Sequence, residues 1–162
     1  RHDPNVNFVL PAVPHLLPLI QSLVAGSGVT ILDQPDDLIP ALQTSDAMIA
    51  TSGTITLQAA LCGTVGVTCY RTSAFSGFIG RRLVDLDKVI LPNAILGRPL
   101  YPFYFQEAAN GKTLAAATLD CLDNANAKSS ARQAAIELKS LLTGGAKSFD
   151  ELVISALKNW LD

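Results

Sequence analysis

The chain has 162 residues, enough for one domain with a real core; 49% of them are hydrophobic and only 16% charged. A formal net charge of −2, with Lys and Arg scattered, gives no electrostatic footprint for nucleic acid. No apolar run reaches the length of a membrane span, because Pro, Gly, Asp or Thr interrupts each one.

Residues 7–12 read as a first strand ending at Pro11. Leu16, Leu17, Ile20, Leu23 and Val24 then recur at helical spacing behind Pro14, and Gly26-Ser27-Gly28 closes that helix. Residues 29–32 form a second strand, 33–37 a polar loop, and Asp36 or Asp37 opens a short helix through Leu42. Residues 47–50 are a short apolar run suited to a fully buried third strand. Thr51-Ser52-Gly53-Thr54 follows as a small polar turn, and Leu57, Gln58, Ala59, Ala60 and Leu61 continue it as helix up to Gly63. Residues 65–70 make a fourth strand, rich in β-branched residues, with 71–73 as the loop at its carboxyl end.

Phe75, Phe78, Ile79, Leu83 and Leu86 trace one face of a helix spanning 73–86. Residues 89–91 read as a fifth strand stopped by Pro92. An irregular loop over 93–106 carries two further prolines and four aromatic residues, and long loops of this kind usually serve function. Helices over 112–123, 127–142 and 149–161 complete the chain, the last with a clean apolar stripe that packs on the core. Strand–helix alternation with short connections implies an α/β fold, a doubly wound parallel sheet with a helical tail. The expected division is 1–106 for the sheet domain and 107–162 for the helices packing on it.

Ligands in such sheets sit beyond the carboxyl ends of the strands, where Thr51 to Thr54, Tyr70 to Thr72 and Asn93 would meet. A strand, a small turn and a helix start together aim free backbone N–H groups and the positive end of the macrodipole at an anion. The same hydroxyls would also serve as an ordinary helix cap. Gln58, one helical turn on, stands where a carboxylate could accept bonds from ribose; an amide accepts without charge assistance, a loss of about 1 kcal/mol or more. Arg71 reads as a diphosphate contact or a surface arginine, and Asn93 and Gln106 each donate and accept. Arg82 falls inside the stripe of Phe78, Ile79 and Leu86. With Phe75 and Phe78 beside it, Arg82 would meet a lipid headgroup or pair with Asp85 or Asp87.

Cys62, Cys69 and Cys121 are odd in number and show neither zinc-site nor disulfide spacing, which favours a reducing compartment. The only histidines are His2 and His15, so no serine–histidine–acid set can be assembled. The only methionine is Met48, and the expectation is that the chain is a fragment or a processed product without a signal peptide.

Ser45-Asp46-Ala47, Ala50 to Leu57, Tyr70-Arg71, Arg81 to Val84, Leu91 to Pro99 and Gln106-Glu107 together resemble the lipid-A-disaccharide synthases. The likeness covers most of the region from Phe8 to Gln106. Its strength lies in the joint occurrence of the turn, Tyr-Arg and the Leu-Pro-Asn…Gly-Arg-Pro block.

The resemblance implies an inverting glycosyltransferase of two Rossmann-like domains facing across a cleft, of which this chain is the carboxyl-terminal half that holds the UDP-sugar. The reaction would join UDP-2,3-diacylglucosamine to 2,3-diacylglucosamine 1-phosphate, releasing UDP, with no cofactor and no required metal. The implied setting is peripheral, on the cytoplasmic face of the bacterial inner membrane. The implied partners are the two lipid sugars, the membrane surface, the missing amino-terminal domain and, if the 149–161 stripe exchanges between subunits, a second copy. Thr51, Ser52, Gly53 and Thr54 would cradle the UDP phosphates, Arg71 and Asn93 would line the donor pocket, and Gln106 would contact donor or acceptor. Gln58 replaces the glutamate usual in the family. The general base would lie in the missing domain, so none is assigned in this chain. The alternatives are another UDP-sugar enzyme (an N-acetylglucosaminyltransferase or an epimerase) and a non-catalytic doubly wound module that binds a nucleotide or a protein.

Overall fold

The computed structural model describes residues 6–72 and 89–144. They form parallel strands and helices in two compact units, Arg1–Ser45 and Asp46–Asp162. In the first unit β1 (Val9–Pro11) pairs in parallel with β2 (Thr30–Leu32), Leu10 opposite Ile31. The crossover is a 3-10 turn, Pro14–Leu16, running into α1 (Leu17–Val24). Pro14 and Pro18 sit at helix starts, where a missing N–H leaves no bond unmade. A second turn, Pro35–Asp37, leads into α2 (Leu38–Thr44), which buries Leu42.

The second unit holds β3 (Met48–Thr51), α3 (Thr54–Cys62), β4 (Gly66–Tyr70), α4 (Leu91–Leu96), β5 (Phe103–Phe105), α5 (Gly111–Asp123) and α6 (Ala125–Leu142). Its strands run in the order β3-β4-β5, all parallel, with Ile49 opposite Val67 and Cys69 opposite Tyr104. Gly66, Val67 and Thr68 are buried in succession, so both faces of β4 are covered. α3 packs on β3 and α6, while α5 packs on β3 and β4. Small residues set the close approach of α3 and α6: Ala59 and Ala60 on one, Ala131, Ala134 and Ala135 on the other, all buried. Asn110 and Asn124 cap α5 and α6 by accepting from the amides of Thr113 and Ala127, each at 3.0 Å.

Strands β1 to β4 and the helices between them fall where the sequence pattern places them, apart from boundary shifts. Two expectations fail. Residues 89–91 are not a strand: Ile90 is the extended cap residue and Leu91 already opens α4. Pro92 lies in its first turn rather than stopping a strand, and Gly97, at φ 64°, closes the helix. Nor is 93–106 wholly irregular, because Phe103-Tyr104-Phe105 pairs with β4 as the last strand. The helices expected over 73–86 and 149–161 lie outside the described residues. No helix among the described residues is long and apolar enough to cross a membrane.

Candidate functional site

Three adjacent carboxyl ends define one edge of the second unit: Thr51 closes β3, Arg71 follows β4 and Gln106 follows β5. Thr51 is exposed. Ser52 is tied down twice, its N–H donating to Cys69 O at 3.3 Å and its Oγ to Val89 O at 3.0 Å. Gly53 follows at φ 154° and ψ −169°, a conformation that L side chains rarely adopt, with open space where a Cβ would stand. The chain can then turn directly into α3 with Thr54 exposed at its first position. The carbonyl of Gly53 accepts from Thr56 N at 3.1 Å and from Thr56 Oγ1 at 2.7 Å. Among the described residues no side chain caps α3. Its first-turn amides therefore stand toward the edge with the positive end of the helix dipole.

Arg71 is exposed directly beyond β4. The next peptide, Thr72, is held by Gln106, whose Oε1 accepts from Thr72 N at 2.9 Å and whose Nε2 donates to Thr72 O at 3.1 Å. Gln106 is buried and has φ 53°, positive for a residue other than glycine. Gln58 is exposed on α3, one turn from its start.

Asn93 is brought into the core of α4's approach to the 97–102 loop. Its Oδ1 accepts from Leu100 N at 2.9 Å and Tyr101 N at 3.0 Å, and its Nδ2 donates to Tyr101 O at 3.0 Å. Tyr101, almost wholly buried, donates in turn to Thr64 O at 2.7 Å. Phe75, Phe78 and Arg82 lie outside the described residues.

The groups gathered at the edge are amides, hydroxyls and one guanidinium, with no carboxylate or imidazole from Thr51 to Thr54, at Arg71-Thr72 or at Gln106. Burial pushes the Cys69 thiol, opposite Thr51, above its ordinary range, so it stays protonated at neutral pH. These edge groups suit holding an oxyanion. A separate cavity of about 670 Å³ lies toward the amino end of β4, lined by Val65, Gly66, Tyr101, Cys121 and Ser130 among others. Sequence reasoning passed over Thr56, and it placed Thr72 on this edge without its partner. Thr56 had a usable signal, a hydroxyl three residues after the turn glycine; the partner of Thr72 had none, since only the pairing of β5 with β4 reveals Gln106 beside it.

A family model described as lipid-A-disaccharide synthetase matches residues 5–156. The lipid-A-disaccharide synthase of Nitrosococcus oceani is 30% identical over 158 residues, covering 96% of this chain and 41% of that protein. That of Burkholderia vietnamiensis is 40% identical over 131 residues, 78% of this chain and 33% of its own length. That of Geobacter sulfurreducens is 32% identical over 144 residues, 88% and 38%. The chain thus spans about two fifths or less of the length of these curated relatives.

Proposed function

This chain belongs to the lipid-A-disaccharide synthetase family, and on that premise we propose that it is the donor-binding half of a glycosyltransferase of lipid A biosynthesis. The full-length protein joins UDP-2,3-diacylglucosamine to 2,3-diacylglucosamine 1-phosphate and releases UDP. The observation that carries the reading is the uncapped start of α3 behind Gly53, at φ 154°, at the carboxyl end of a parallel strand. Main-chain amides of the first turn of α3 bind the pyrophosphate, with Thr51, Ser52 and Thr54 around them and the Arg71 guanidinium opposite. As the bond from sugar to phosphate breaks, negative charge grows on the departing UDP. Fixed donors stabilise that charge because they need no reorganisation.

Gln58 accepts from the ribose without the charge assistance of a carboxylate. Asn93 and Gln106 complete the pocket by fixing its walls, the first at Leu100 and Tyr101, the second at Thr72. The base that activates the acceptor belongs to the other domain. Residues 1–106 bind the nucleotide and 107–162 brace them, and the enzyme works as a peripheral protein at the cytoplasmic membrane surface. Phe75, Phe78 and Arg82 are assigned to lipid, and a homodimer is part of the proposal.

Calorimetric titration of this chain with UDP tests the reading. The expected result is saturable heat at micromolar to millimolar UDP, and no disaccharide formed by this chain alone. Absence of heat at 10 mM UDP (tenfold above the Kd of a 1 mM site, about 1.4 kcal/mol) would remove the edge as the nucleotide site.

A further inference from the structure

We infer that Tyr70 and Leu91 form an apolar wall beside the Gly53 turn, against which the acyl chains of the sugar-nucleotide donor lie, a reading that rests on that turn being the pyrophosphate site. Ser52 brings both residues to the turn. Its N–H donates to Cys69 O at 3.3 Å and its Oγ to Val89 O at 3.0 Å. Tyr70 is the next residue after Cys69 and closes β4; Leu91 is two residues after Val89 and opens α4. Two residues of chain span at most about 7 Å, so Leu91 stays within reach of the turn.

Both side chains are open to solvent, Tyr70 at 43% and Leu91 at 38%. Their neighbours are not: Ile90 and Pro92 are buried on either side of Leu91, and Val67 and Thr68 are buried in β4 before Tyr70. Every other large hydrophobic side chain exposed among the described residues of the second unit lies on β3, α5 or α6. An exposed leucine alone says little. What distinguishes this pair is its place beside the start of α3, where the donor's own chemistry needs an apolar surface. In UDP-2,3-diacylglucosamine the phosphate sits on C1, an amide-linked chain on C2 and an ester-linked chain on C3. Once the phosphate is fixed on the amides of α3, both chains leave the sugar one and two carbons away and run past whatever flanks the turn. Each methylene taken out of water there is worth roughly fourfold in affinity.

Calorimetry on this chain with three probes tests the wall: UDP, UDP-glucosamine, and a UDP-2,3-diacylglucosamine whose two acyl chains are short enough to keep it monomeric in water. The diacyl probe should bind about tenfold tighter than UDP-glucosamine, or better. In a Tyr70→Ser, Leu91→Ser double variant that advantage should fall below about threefold, while Tyr70→Phe with Leu91→Met should keep it. If the urea midpoint shows the double serine variant to be unfolded, Leu91→Ser alone carries the test. It should then cost the diacyl probe about fivefold more than it costs UDP-glucosamine. Heat with UDP but equal affinity for the two sugar nucleotides overturns the wall and leaves the nucleotide site standing. An acyl advantage that survives the serine substitutions puts the chains elsewhere and also overturns it, as does an equal loss for both sugar nucleotides. Silence of all three probes removes the nucleotide site, and the wall with it.

Discussion

Gln106 grips the peptide of Thr72 at both ends, accepting from its N–H at 2.9 Å and donating to its C=O at 3.1 Å across 34 residues of sequence. The clamp forms where β4 and β5 end side by side, with Tyr70 opposite Phe105. It explains why Gln106 holds φ 53°, a conformation that costs a non-glycine residue about 1–3 kcal/mol. The amide has to face β4 from the first residue beyond β5, and only that backbone turn puts it there. Gln106→Leu should therefore lower the unfolding free energy by about 2–3 kcal/mol, since both bonds vanish and two backbone groups lose a partner. Urea denaturation reads this directly. A midpoint equal to that of the parent chain would show the clamp to be ornamental.

Arg71 differs from Gln106 in being exposed, one residue before the clamp. Arg71→Ala should leave the urea midpoint within about 0.5 kcal/mol of the parent, as most surface substitutions do. UDP affinity, in contrast, should fall by about 1–3 kcal/mol through loss of a charged hydrogen bond to phosphate. The two measurements separate the roles of neighbouring residues. Unchanged UDP affinity would take Arg71 out of the site.

Much of this edge was legible in the sequence because its signals are local. Ala47 to Ala50 is a short apolar run, Ser52-Gly53-Thr54 is small and polar, and Gly63 stands after a set of good helix formers; each specifies its own backbone. What escaped depends on partners far along the chain. Val89-Ile90-Leu91 carries strand composition, yet no strand among the described residues pairs with it, and Pro92 suits a helix start as well as a strand end. Phe103-Tyr104-Phe105 becomes a strand because β4 offers a free side, with Thr68 N donating to Pro102 O at 2.9 Å at its start. Asn93 shows how far such partners reach: its three bonds hold Leu100 and Tyr101, seven and eight residues on.

Gly66 offers a test of how tightly β3 and β4 meet. A Cβ there would overlap Met48 O and Cγ and stand 2.9 Å from Met48 N, all closer than real Cβ contacts come. Backbone cannot yield as a flexible side chain would, so Gly66→Ala should cost about 1–3 kcal/mol and weaken the pairing that positions Thr51. Gly111, in the first turn of α5 with nothing near its Cβ position, is the control. Gly111→Ala should be neutral or stabilise by about 0.4–1 kcal/mol through the unfolded chain. Equal effects of the two substitutions in thermal unfolding would contradict the steric argument.

The phenol of Tyr101 predicts how the fold responds to alkali. Burial, and secondarily the nearby Cys62, push its pKa well above its ordinary value of 10.0. Above pH 10 the unfolded chain releases this proton while the folded chain keeps it, so the native state binds more protons and stability falls as pH rises. Below pH 10 both states are protonated and the group contributes no slope. Tyr101→Phe should behave differently on the two sides of that boundary. At neutral pH it loses the bond to Thr64 O, 2.7 Å in the parent, and should be less stable by about 0.5–1.5 kcal/mol. Above pH 10 the parent declines through this phenol and the variant does not, so the gap between them should shrink. The raised thiols of Cys69 and Cys121 steepen both curves alike and drop out of the difference. Urea unfolding of the two proteins between pH 7 and about pH 11 checks the sign. A gap that stays constant across pH 10 would mean that Tyr101 ionises as readily in the folded chain as in the unfolded one.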